Sequence, residues 1–283
     1  ASPQSLHTTL SQPLSDQPAD PHELLDFLQS EILPNNLKVD HPRFFAFVPG
    51  PNNFVSAMAD SLAAGLNVFN GTWLGGSAAA AMELTVVDWL RSFCQLPDSA
   101  GGVLVSGGSV ANLTALAAAR YTMLGDDSTN AVAYLSDQTH SSVARGLRVI
   151  GLHPDHIRTI ESDPNYRIQL QTLAESVHRD RSNGLRPFCV IANAGTTNTG
   201  AVDPLPELAD FCAAEKLWLH ADGAYGAAAA ICERGRQALR DELPDPIVVA
   251  IERAVRVDVV VERGAPVVAD AERAEGVVAA HVA

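Results

Sequence analysis

The sequence predicts a layered α/β fold built on a largely parallel sheet, and two observations carry that prediction. From residue 103 to 222 short apolar runs alternate with longer stretches of helical period, the signature of repeated strand–helix units. The last of these runs, Leu219-His220-Ala221-Asp222-Gly223-Ala224-Tyr225-Gly226, is an apolar strand that ends in a carboxylate followed by small residues. In such sheets ligands bind beyond the carboxyl ends of the strands, and a carboxylate held there suits a cationic ring nitrogen.

Residues 1–20 are rich in Ser, Pro, Gln and Asp without an apolar period and read as a loose N-terminal arm. Leu24, Leu25, Phe27, Leu28 and Ile32 follow at near-helical spacing, stopped by Pro34-Asn35-Asn36. The proline-bounded aromatic run from His41 to Gly50 reads equally as an extended segment lining a cavity and as core packing. Together 21–95 form an N-terminal helical and pocket segment, and 96–240 the sheet-bearing large domain. Strands are predicted at 103–106, 131–136, 157–160, 188–193 and 217–222, with helices at 110–124, 141–150, 169–178 and 205–215. From 241 to 283 the composition is dominated by Val, Ala, Arg, Glu and Asp, with one Leu and no aromatic residue, Ser, Thr, Asn, Gln or Lys. No helical stripe or alternating strand persists there, so the segment reads as foreign to the preceding fold, through truncation, a cloning junction or a changed reading frame. A native tail of biased composition is the alternative.

Composition narrows the function. A hydrophobic content of 47% with 18% charged residues is ordinary for a soluble globular chain. The net charge of -14 argues against a nucleic-acid surface, which needs clustered Lys and Arg, and favours a small-molecule substrate. Cys94, Cys189, Cys212 and Cys232 lack metal-ligand or disulfide spacing, which fits a reducing cytoplasm. No run approaches a membrane span, and the polar start has no signal-peptide core.

Four segments offer chemistry. Gly107-Gly108-Ser109 before a helix supplies backbone N–H groups, a hydroxyl and the positive end of a helix dipole, which suit a phosphate, although a simple helix cap reads the same way. It is no P-loop, since the Gly-Lys-Ser/Thr ending is absent. His140 follows the strand at 131–136, as a reactive or a structural imidazole. Ala194 to Gly200 is a hydroxyl-rich turn containing Thr197. Asp222 either holds a ligand or caps a following helix, and His220 with Asp222 gives two metal ligands at most, with no third in register.

Taken jointly, His41 to Phe47, Thr72-Trp73, Glu83 with Trp89, Ser106 to Leu116, Ser136 to Ser142, Ala194 to Thr197 and His220 to Gly226 resemble, in order, the group II decarboxylases of amino acids that depend on pyridoxal phosphate (PLP), the family of aromatic-L-amino-acid decarboxylase. The resemblance covers about 21–240. It implies the fold-type I large domain of the PLP-dependent transferases, with the small C-terminal domain missing, and decarboxylation of an L-amino acid, aromatic ones included, by a cytoplasmic homodimer. It also implies that Gly108 and Ser109 hold the cofactor phosphate, His140 stacks on the ring, Asp222 pairs with its nitrogen, Ala224 lies under it and Thr197 lies near it. Phe47 and Pro49 then help form the substrate pocket. The family's Schiff-base lysine, expected a few dozen residues past the aspartate, falls in the aberrant tail and is not found. Lys38 and Lys216 are the chain's lysines, and neither sits in that motif. Transamination and a catalytically inactive PLP-fold fragment therefore stand beside decarboxylation.

Overall fold

The computed structural model describes residues 2–11, 13, 15–45, 53–94, 96–98 and 100–235, with the backbone of 248–253 and 257–263. The chain divides into two units, 1–52 and 53–283.

In the first unit, α1 (Pro3–Leu10) forms inside the stretch that the sequence reading leaves as a loose arm. Its cause is local: the Ser2 side chain accepts from the Ser5 N–H at 3.1 Å and Pro3 occupies the first turn. No residue of α1 is buried, so it carries no apolar period to be read. Helix α2 (Pro21–Phe27), capped by Asp20, runs on through a π turn (Leu28–Ile32) into a 3-10 turn (Leu33–Asn35), which ends the helix at the expected place.

The second unit opens with α3 (Phe54–Leu66) and α4 (Trp73–Phe93), the latter capped by Thr72. Next come β1 (Ala100–Val105), α5 (Gly108–Leu124), β2 (Ala131–Ser136), α6 (Ser141–Val149), β3 (Ile157–Ile160), α7 (Leu170–Ser182), β4 (Arg186–Asn193), α8 (Leu205–Glu215) and β5 (Trp218–Asp222). The predicted strands and helices of 103–222 all form, and β2, β3 and α8 match to the residue. Strands β6 (Val248–Arg253) and β7 (Val257–Arg263) complete a seven-stranded sheet of order β1-β7-β6-β5-β4-β2-β3. Pairing is parallel from β3 through β6, and β7 runs antiparallel to both β6 and β1.

Those last two strands fall in the segment where the sequence reading finds none. Val248-Val249-Ala250-Ile251 and Val257-Asp258-Val259-Val260-Val261 are β-branched runs with almost no alternation. That is the pattern of an interior strand rather than an edge one, and periodicity alone misses it. Residues 236–247 and 264–283 lie outside the described residues.

Side chains alternate across β2 and β5. Ala131, Ala133 and Leu135 of β2 pack with Leu116 and Ala119 of α5 and Val143 and Leu147 of α6. Val132 and Tyr134 of β2, with Leu219 and Ala221 of β5, pack instead with α7, α8 and Leu90 of α4. This three-layer arrangement puts His220 and Asp222, which alternate with Leu219 and Ala221, on the α5 side. Glu83 of α4 accepts from the Leu104 N–H at 2.9 Å and ties that helix to β1.

From β2 the chain moves outward to β3, then returns to the other side of β2 for β4, β5 and β6. The reversal makes the gap between the carboxyl ends of β2 and β4 the switch point of the sheet, where ligands bind in folds of this kind.

Candidate active site

Strands β1, β2, β4 and β5 all point the same way, so the turns after them gather along one edge of the sheet. Ser109 follows β1, His140 follows β2, Thr197 follows β4 and Asp222 ends β5.

The turn after β1 is shaped by Gly107, at φ 115°, and no side chain caps the first turn of α5. Gly108 is buried while Ser109 is exposed. An uncapped helix start with a small-residue approach leaves backbone donors and a hydroxyl facing outward, and these fit an anion.

His140 is the cap residue of α6: its Nδ1 receives the Ser142 N–H at 3.3 Å and lies 2.8 Å from Ser142 Oγ. Asp222 is 6% exposed. Its Oδ1 accepts from the Ala224 N–H at 3.1 Å, and its Oδ2 accepts from Asn112 Nδ2 at 3.1 Å. Asn112 Nδ2 also reaches Ser142 Oγ at 3.3 Å, and Asn112 Oδ1 lies 2.7 Å from His220 Nε2. His140 and Asp222 are thus joined on one side of the sheet through Ser142 and Asn112.

A second buried cluster braces the switch point. Asp203 accepts from the Ile168 N–H at 2.7 Å, and from the Asn193 N–H and Nδ2 at 2.7 and 2.9 Å. Asn193 Nδ2 extends to Ser136 Oγ at 3.1 Å and Thr139 Oγ1 at 3.3 Å, linking the ends of β2 and β4. Burial raises the Asp203 pKa, while its hydrogen bonds from Ile168 and Asn193 act the other way.

Beyond β4, Thr196 Oγ1 meets Thr199 Oγ1 at 2.7 Å and leaves Thr197 exposed on the turn. The turns after β4 and β5 touch at glycines. A Cβ on Gly226 would sit 2.0 Å from the Ala194 carbonyl oxygen, and one on Gly195, at φ 100°, 2.7 Å from the Gly226 Cα. Only hydrogen side chains permit that approach.

Burial pushes the His220 pKa down to about 4, against the opposing negative charge of Asp222. An unfolded His220 takes a proton below about pH 6.5, whereas the folded ring refuses it until about 4. Across that window the unfolded state binds more protons, so stability falls as pH drops from 6.5 toward 4, by on the order of 3 kcal/mol. Denaturant unfolding at pH 7 and pH 4.5 measures the fall, and His220→Gln is expected to remove this component. A variant with an undiminished pH slope would assign the loss to other groups.

Sequence reasoning missed Asn112, Ser142, Asn193 and Asp203, and noted His220 only as half of a metal pair. In the fold His220 is engaged with Asn112 instead. Phe47 and Pro49 lie outside the described residues, and Phe45 just before them is exposed. Lys216 stands before β5 and Asp222 ends it, so a strand length on the order of 13 Å separates them.

A model of the pyridoxal-dependent decarboxylase conserved domain matches residues 3–250. The chain belongs to this family. It is 52% identical over 235 residues to an aromatic-L-amino-acid decarboxylase of Bacillus atrophaeus, covering 83% of this chain and 49% of the relative. It is 36% identical over 247 residues to a phenylacetaldehyde synthase of Arabidopsis thaliana, covering 83% and 50%. Among solved structures, Oryza sativa TDC with PLP and tryptamine superposes with a TM-score of 0.85 at 29% identity, over 92% of this chain and 57% of that one. The chain therefore spans about half the length of the curated relatives it matches. The family match begins at residue 3 and reaches 250, so it takes in α1 and the start of β6 as well as the stretch 21–240 that carries the resemblance.

Proposed function

We propose that this chain holds pyridoxal phosphate at the carboxyl edge of its sheet, as part of a decarboxylase of L-amino acids that accepts aromatic side chains. The observation carrying this reading is the hydrogen-bonded connection of His140 to Asp222 through Ser142 and Asn112. It sets an imidazole and a nearly buried carboxylate on one side of the sheet, beside an uncapped helix start. A planar cation-bearing ring with a phosphate tail matches all three in chemistry.

In this reading Gly108 and Ser109 bind the phosphate through backbone N–H groups and the hydroxyl. His140 covers one face of the ring, Ala224 leaves room on the other, and Thr197 borders it. Asp222 holds a proton on the ring nitrogen, because a buried carboxylate favours the cationic form of its partner. When bound, the cofactor supplies an electron sink for the bond that loses CO2. The family resemblance assigns Phe47 and Pro49 to the substrate pocket. The amine that would hold the cofactor covalently is not provided by Lys216, which stands at the opposite end of β5, and Lys38 lies outside the family's lysine motif, so these residues bind the cofactor without efficient turnover.

Exposed Phe54, Val55, Met58, Leu62 and Leu66 on α3, with Trp73, Leu74 and Met82 on α4, favour a homodimer, since apolar stripes of this extent mark association surfaces. Among the described residues no helix is long and apolar enough to cross a membrane. Four free thiols, three of them buried, suit the cytoplasm.

The test is addition of PLP to the purified chain, with absorbance titration, borohydride reduction and mapping of any label. Amine and aldehyde release is then assayed with several L-amino acids, because relatives include both a decarboxylase and an aldehyde synthase by name. Saturable, unlabelled binding without turnover is expected. No saturable binding overturns the cofactor reading, and robust turnover with a label on Lys38 or Lys216 overturns the impairment.

A further inference from the structure

We infer that Asn112 is the positioning residue of this site: its one buried carboxamide sets the direction of the hydrogen bonds around Asp222 and the proton-bearing nitrogen of His220, and reaches His140 through the Ser142 hydroxyl. The inference rests on the proposed role of Asp222, and concerns what holds that carboxylate.

Asn112 is 1% exposed, on α5, and both its NH2 and its carbonyl oxygen are engaged. An ionised carboxylate only accepts, so the Asn112 atom 3.1 Å from Asp222 Oδ2 must be the NH2, which fixes the orientation of the amide. Its Oδ1 in turn only accepts. His220 therefore donates from Nε2 across 2.7 Å and leaves Nδ1 as a bare lone pair. That atom is indeed buried with no hydrogen-bond partner among the described residues. A neutral ring is what complete burial demands, and burial holds His220 uncharged through the physiological range.

The second amide proton points to Ser142 Oγ at 3.3 Å. Ser142 then offers its own hydroxyl hydrogen to His140 Nδ1 at 2.8 Å, the same nitrogen that receives the Ser142 N–H. With Nδ1 committed as an acceptor, neutral His140 carries its proton on Nε2.

Asp222 is held by the Asn112 amide and the Ala224 N–H, both neutral, and no ion pair on Asp222 exists among the described residues. Neutral donors stabilise a carboxylate without cancelling its charge, whereas an Arg or Lys in the same place would consume it. Asn112 thereby keeps one net negative charge aimed and available for a ring cation.

Long-range 1H–15N correlation spectra of the histidine-labelled chain without cofactor test the inference directly. His220 at pH 7, and His140 in its neutral form, are expected as the Nε2–H tautomer. Ser142→Ala should shift the His140 Nδ1 resonance but keep the Nε2–H tautomer, since the residue 142 backbone N–H still donates to Nδ1, and should leave His220 unchanged, while Asn112→Ala should perturb both rings. Asn112→Ala is also expected to weaken PLP binding at least tenfold with the affinity for inorganic phosphate unchanged. His220 found as Nδ1–H in the unsubstituted chain overturns the inference even if Asn112→Ala fails to fold. Equal losses for PLP and phosphate in Asn112→Ala overturn it as well. If the unsubstituted chain retains no PLP, the cofactor reading falls, and the spectra alone still decide the role of Asn112.

Discussion

Asp222→Ala is expected to lower PLP affinity at least a hundredfold at pH 7.5, and Asp222→Asn nearly as far. Asp222 is the carboxylate at the end of β5, 6% exposed and held by two neutral donors. Truncating one partner of a buried charge pair costs roughly 2–5 kcal/mol, because the other charge is left without compensation, and each 1.4 kcal/mol is about a factor of ten in affinity. The asparagine variant keeps the size of the side chain and removes only the charge. It therefore separates electrostatics from packing, and the alanine variant adds the loss of the cap on the Ala224 N–H. Titration by absorbance, with circular dichroism to confirm the fold, reads both. If both variants bind PLP as tightly as the parent chain, Asp222 is not the ring-nitrogen partner and the site must be redrawn.

The second expected result concerns stability rather than chemistry. Asp180→Ala should destabilise the chain by about 3 kcal/mol, since breaking a buried pair by removing one partner strands the other. Asp180 Oδ2 accepts from the Tyr134 hydroxyl at 2.8 Å and from Arg158 Nε at 2.9 Å, and Oδ1 accepts from Arg158 Nη2 at 2.7 Å. Burial alone would raise the carboxyl pKa, but the bonds from Arg158 and Tyr134 outweigh it and hold it below the usual carboxylate range. The substitution leaves a fully buried phenol without its acceptor and a guanidinium without its bidentate partner. Tyr134→Phe combined with Asp180→Ala should cost less than the sum of the two single changes, because the phenol orphaned by one is removed by the other. Urea unfolding measures all three. A loss under about 1 kcal/mol in Asp180→Ala would show that water replaces the carboxylate at this position.

Most of the element order was legible because it is written locally. The alternation of apolar runs and helical periods located β2, β3 and α8 to the residue. The misses have physical reasons too. Helix α1 is made by a cap and a proline without any buried face, so no period announces it. Strands β6 and β7 are Val-rich short runs with charged residues clustered at their ends rather than alternating, so period alone does not mark them as strands. Pairing with β5 and β1 is what makes strands of them.

The candidate site divides in the same way. Ser109, His140, Thr197 and Asp222 could be named from the chain because each follows or ends an apolar run, and strand ends are where a parallel sheet presents its chemistry. By itself, then, the sequence determined the layered α/β class and the residues standing at the strand ends, since periodicity and turn composition are properties of neighbours along the chain. Only the tertiary structure decided that Asn112 would meet His220 and Asp222 across more than a hundred residues, and that Asn193, held by Asp203, would bind the ends of β2 and β4 together. An asparagine four residues past a glycine turn looks like any polar residue near a helix start. It becomes a positioning group when strand order brings a histidine and a carboxylate to the same face, where a buried amide must spend its donors and its acceptor on whatever lies opposite.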